Sequence, residues 1–168
     1  HLIKELKPKV VVANGDVFDG ASISRYPRIG WDNKPKVMDE LRAVKARLAE
    51  VQDAAGKASL FWTLGNHDAR FSNHLAQCAP QFEGVQGFEL KDHFPDWIPC
   101  WSLWINSDTV IKHRHKNGIH SAHNSTVWAG KTMVCGHLHS MKVTPFSDYN
   151  GARFGVDCGT LADPYGPQ

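Results

Sequence analysis

Leu60-Phe61-Trp62-Thr63-Leu64-Gly65-Asn66-His67-Asp68 is an apolar run that ends on a glycine followed by three side chains able to carry chemistry. Branched and aromatic residues of this kind suit a buried, pleated strand. The glycine lets the backbone turn sharply, so the next side chains hang over the carboxyl edge of a sheet. The same arrangement occurs twice more. Val10 to Ala13 leads into Gly15-Asp16-Val17-Phe18-Asp19-Gly20, and Thr132 to Cys135 leads into Gly136-His137-Leu138-His139. The three strand ends are expected to share one rim. Asp, Asn and His there supply oxygen and imidazole nitrogen donors, the set that suits Mn, Fe or Zn rather than an all-oxygen Ca site.

Each cluster alone has an ordinary reading. Asp-Gly pairs are common turn chemistry, Asn66 is able to cap a following helix, and histidines two apart are most often surface residues. The conjunction weighs against three unrelated turns. In an extended segment residues i and i+2 point to one side, so His137 and His139 can face a single site.

Gly-Asp-x-x-Asp, Gly-Asn-His-Asp and Gly-His-x-His in this order resemble the calcineurin-like metallophosphoesterases, over about Val10 to Leu161. The resemblance implies a mixed α/β (α+β) fold, a β-sandwich flanked by helices, with a dinuclear centre of divalent transition metals at the strand ends. It implies hydrolysis of phosphoesters by a metal-activated hydroxide, with phosphodiesters or nucleic-acid-type substrates favoured. Carried over residue by residue, Asp16 would bridge both metals and take part in catalysis, Asn66 would bind the second metal, and His67 would be the general acid. His137 and His139 would bind the second and first metals. The family also places a lone histidine at a strand end between the second and third clusters. Thr109 to Lys112 reads as such a strand, and His113 at its end is assigned that role over His115, which shares its face. Cys158-Gly159-Thr160-Leu161 resembles the segment that closes many members of the family.

One motif of the family is missing. Members open with Asp-x-His at the end of the first strand, and nothing before Asp16 matches it. His1 to Lys7 reads instead as the tail of an amphipathic helix with Leu2, Ile3 and Leu6 on its apolar side, stopped by Pro8. The expectation is therefore a single domain over residues 1–168 lacking its first strand, with the second metal site intact and the first left with Asp16 and His139. Activity of such a chain would be low. The alternative reading is a non-catalytic metal- or phosphate-binding module of the same fold.

Between the clusters the elements alternate. Pro35 to Ala55 is the clearest helix, with Val37, Leu41, Val44, Leu48 and Val51 on one face and Gly56 ending it. Shorter helices are expected at Ala69 to Gln77 and Ser121 to Ala129, and an irregular stretch from Pro80 to Pro99. Trp101 to Asn106 and Thr109 to His113 read as one hairpin, Met141 to Phe146 and Arg153 to Asp157 as another around Asn150-Gly151. Trp97, Trp101 and Trp104 are expected to pack the sandwich, the alternative being exposed aromatics that would suit single-stranded nucleic acid.

Composition excludes several classes. The 168 residues, 42% of them hydrophobic, suffice for one cored domain, and a net charge of +2 is too balanced to point to nucleic acid by itself. Cys78, Cys100, Cys135 and Cys158 lack Cys-x-x-Cys spacing, and no signal peptide or long apolar stretch appears, so the chain reads as cytoplasmic, without a membrane, and with free thiols. The loop Ala21 to Lys34 carries Arg25, Tyr26, Arg28 and Trp31, and Arg70 follows the second cluster. Arg25 and Arg70 are the candidate substrate contacts. His120 and His123 sit in a glycine-led loop after His113.

Overall fold

Val10–Ala13 (β1), Ser59–Thr63 (β2) and Ile98–Cys100 (β3) form a parallel sheet in the order β1-β2-β3 in the computed structural model. The structure describes residues 1–27, 30–31 and 33–163. The chain divides into two compact units at the boundary between Cys100 and Trp101.

In the first unit, parallel pairing requires a crossover between β1 and β2. Val37–Ala55 (α2) lies within that crossover. Its Leu41, Val44 and Leu48 are buried, as the four-and-three spacing predicts, and they join Leu60 and Trp62 of β2 in one core with Phe18, Phe71, Leu90, Phe94 and Trp97. The register pairs Ala13 with Trp62 and Thr63 with Cys100, so the three strands end together. Asp16 and Asn66 leave from this edge. Ala69–Cys78 (α3) starts directly after the second cluster and buries Phe71. Leu2–Leu6 (α1) closes on Lys7 in the left-handed region, and its Leu2 and Leu6 are exposed.

In the second unit, Leu103–Trp104 (β4), Thr109–Ile111 (β5), Thr132–Cys135 (β6), Lys142–Asp148 (β7) and Gly151–Asp157 (β8) form a sheet ordered β4-β5-β6-β8-β7. β5, β6 and β8 are parallel, with Ile111 beside Val134 and Cys135 beside Asp157. The antiparallel strands β4 and β7 form its edges. His113, Gly136 and Cys158 therefore follow neighbouring strand ends. Ser121–Ala129 (α4) bridges β5 to β6 and packs against β6, β7 and β8. The approach is close: a Cβ on Gly155 would lie 2.0 Å from the Ala122 carbonyl oxygen.

The mixed α/β architecture, with two sheets and four α-helices among the described residues, agrees with the sequence expectation. Several details differ. β3 lies at the edge of a stretch read as irregular, because three residues that include Pro99 give no strand signal. Pro80–Phe82 and Leu90–His93 are short 3₁₀ turns in the same stretch. Trp97 is buried, but Trp101 and Trp104 are 60% and 57% exposed, so only the first packs a core. Among the described residues no helix is long and apolar enough to cross a membrane.

The contact between α4 and β8 is testable. Gly155→Ala should destabilise the chain by about 1–3 kcal/mol through overpacking, read as a lower urea midpoint. An unchanged midpoint contradicts the close approach.

Candidate functional site

Asp16, His137 and His139 have φ values of 52°, 74° and 55°. Non-glycine residues seldom enter the left-handed region, and each such position costs on the order of 1–3 kcal/mol. Apart from Lys7, which closes α1, these are the non-glycine residues of positive φ among the described residues. All three are metal ligands by the sequence reading, so the backbone is strained where ligands are expected.

In the first unit the strand ends of β1 and β2 are stitched together. The His67 amide donates to Asp16 Oδ1 at 2.9 Å, and a Cβ on Gly65 would lie 2.1 Å from that same oxygen. Gly65 is therefore required by proximity. Asn66 is half-buried, and its Oδ1 is shielded from solvent with no hydrogen-bond partner among the described residues. Such an orphan costs about 1–3 kcal/mol unless something else takes its lone pairs. A cation is one such partner.

The side chain of His67 faces Asp19, with Nδ1 2.6 Å from Oδ1. Arg70 Nη1 donates to the same Oδ1 at 3.0 Å and to the Asp19 carbonyl at 2.8 Å. The hydrogen bond from His67 leads the causes that hold the Asp19 carboxyl below its ordinary value, with the charges of His67 and Arg70 adding to it against partial burial. An ionised carboxylate only accepts, so Nδ1 carries the proton and Nε2 is left for chemistry. Next along the loop, the Gly20 amide donates to Glu40 Oε1 of α2 at 2.7 Å. Burial pushes the Glu40 carboxyl upward.

In the second unit His113 is buried and its ring lies 5.4 Å from that of His137, edge to face. The Gly136 amide donates to the His113 carbonyl at 3.0 Å, so backbone pairing joins the two ligand segments. His115 is exposed, and desolvation together with Lys112 and Lys116 lowers its pKa. His139 is exposed as well. His120 and His123 line a cleft of about 510 Å³ with Ile119, Asn124, Lys142 and Thr144. Burial pushes the Cys135 thiol up to about 11, which makes it a poor thiolate ligand.

Arg25 is exposed and bonds Tyr26 Oη at 3.4 Å. Arg28 lies outside the described residues. The sequence reading gave no role to Asp19 or Asp68. The signal for Asp19 was its place three residues after Asp16 inside the first cluster, and for Asp68 its place directly after His67.

Asp16, His113 and His137 each offer one ligand atom, and a carboxylate with two imidazoles suits a transition metal. Residues 1–141 match the family model of the calcineurin-like phosphoesterases, through the first unit and into the second. No curated protein and no solved structure matches the chain.

The Asp19 contacts predict a titration. Its carboxyl carbon should titrate below the ordinary 3.8 in the intact chain, and His67→Ala should move the midpoint upward by more than Arg70→Ala. Because the folded value is depressed, the stability these contacts add is present at neutral pH and is lost as pH falls through the folded midpoint. A midpoint indifferent to His67 contradicts the pairing.

Proposed function

The chain belongs to the calcineurin-like phosphoesterase family, and from that premise we propose that it hydrolyses phosphodiesters, nucleic-acid-type esters among them. A metal-dependent phosphoesterase is the activity of the family. In the proposed centre Asp16, Asn66, His113 and His137 would hold the second divalent ion, with Asp16 and His139 left to hold the first. Asp16, His113 and His137 each offer one ligand atom, a carboxylate oxygen or an imidazole nitrogen. Divalent Mn, Fe or Zn, when bound there, would supply charge neutralisation at the phosphoryl oxygens and a more acidic attacking water.

The observation that carries an enzymatic reading, as against a binding module, is the His67–Asp19 pair. A phosphate-binding module needs cations and amides but no oriented acid. Here Asp19 accepts from Nδ1 and fixes the orientation of His67, which leaves Nε2 as the atom that donates to the departing oxygen. Arg70 holds Asp19 through one nitrogen. A guanidinium has five N–H donors, so the same residue can also take a phosphoryl oxygen. Arg25, exposed in its loop, is the second proposed anion contact.

A general acid matters most when the leaving alkoxide is poor. His67→Ala should leave metal content unchanged and lower turnover of a nucleotide diester by about 10²–10⁴-fold, with a much smaller effect on a nitrophenyl ester. Equal loss on both substrates together with loss of metal would make His67 a ligand and sink the assignment. Chelation should abolish turnover and added Mn²⁺ or Zn²⁺ should restore it. Activity that survives both chelation and Asp16→Asn overturns the metal-dependent reading.

A further inference from the structure

Asp68 is 1% exposed and takes part in no step above. Its Oδ2 accepts from the amides of Asp16 at 2.8 Å and Gly65 at 2.7 Å, and from the Trp62 indole at 3.0 Å. Its Oδ1 accepts from the Phe18 amide at 2.9 Å. All four partners donate, which suits an acceptor-only carboxylate. Two of the amides flank the side chain of Asp16, on the residue itself and on the second residue after it. The indole comes from the core strand β2, so the carboxylate ties the first cluster to a rigid element.

Asp16 itself sits at φ 52°. An aspartate placed there relaxes unless its surroundings hold it. Its chain neighbours Gly15 and Val17 carry no polar side chain, and the amide of His67 donates to Oδ1 of its carboxylate. The backbone of Asp16 is held by Asp68.

We propose that Asp68 is a positioning residue, whose buried carboxylate gathers the amides of Asp16, Phe18 and Gly65 and so holds Asp16 in the left-handed conformation from which it serves a metal ion. The inference rests on the metal centre proposed above. It adds that metal affinity depends on a side chain that never touches the metal. Groups that orient a ligand in this way typically change metal affinity by about 10–100-fold when removed.

Asp68→Asn keeps the shape and replaces one oxygen by a donor that faces donors. Co²⁺ binding, followed by its visible absorption, should weaken about 10–100-fold, with an altered spectrum. Leu48→Ala, a core truncation in α2, controls for stability alone and should leave affinity and spectrum unchanged. In the metal-free chain the Asp16 and Gly65 amide protons should resonate downfield and lose that shift in Asp68→Asn.

The outcomes separate. Wild-type affinity and spectrum in Asp68→Asn overturn the inference, as does equal weakening by Leu48→Ala. If the intact chain binds no Co²⁺, the metal reading fails, and the amide shifts still decide whether Asp68 holds Asp16. Should Asp68→Asn fail to fold, Trp62→Phe keeps the carboxylate and removes one donor. Weaker Co²⁺ binding is then expected, and unchanged binding with an unchanged Asp16 amide overturns the proposal.

Discussion

The carboxylate of Asp68 accepts four N–H groups drawn from the first cluster, the strand β2 and the turn that follows it. Burying a carboxylate costs several kcal/mol, and hydrogen bonds to a charged group each return about 1.5–3 kcal/mol. Burial pushes this carboxyl upward while the bonds from Gly65, Phe18 and Trp62 oppose it, so the charge is tolerable only with its donors in place. The path of residues 16–18 is thereby locked to the end of β2. The position of Asp16 depends on this lock, and so does that of Phe18, which is fully buried and packs edge-on against Phe71.

Stability has been given up at expected ligands within each unit. Three expected ligands lie in the left-handed region, Asn66 keeps a buried oxygen without a partner among the described residues, and Gly65 leaves no room for a Cβ beside Asp16. A chain under selection for stability alone would relax these positions. An ion bound at the centre proposed above would offset such strain and lost solvation.

How much was legible in the sequence follows from how local each signal is. The strands before the three clusters and the helix α2 were readable because apolar periodicity and a closing glycine are properties of a few neighbouring residues. β2 begins one residue earlier than the apolar run, and the hairpin of β7 and β8 extends two residues further toward its turn. Trp101 and Trp104 misled because hydrophobic character does not report which face of a short edge segment is covered. Asp19 and Asp68 were missed as structural groups because the partners that tie the two clusters together lie about fifty residues away, at His67 and Arg70 for one and, beside its local partners Gly65 and Trp62, at Asp16 and Phe18 for the other. No local pattern encodes a contact of that range, although a carboxylate left over beside two expected ligands was a hint.

X-ray absorption of the zinc-loaded chain tests the central claim most directly, since it reads the atoms around the ion. A centre built from Asp16, Asn66, His113, His137 and His139 predicts a first shell of nitrogen and oxygen at roughly 2.0–2.2 Å with imidazole scattering beyond it. Asp16→Asn combined with His113→Ala should remove most of that signal. A sulfur shell at about 2.3 Å, surviving those substitutions, would place the ion on cysteines and contradict the account.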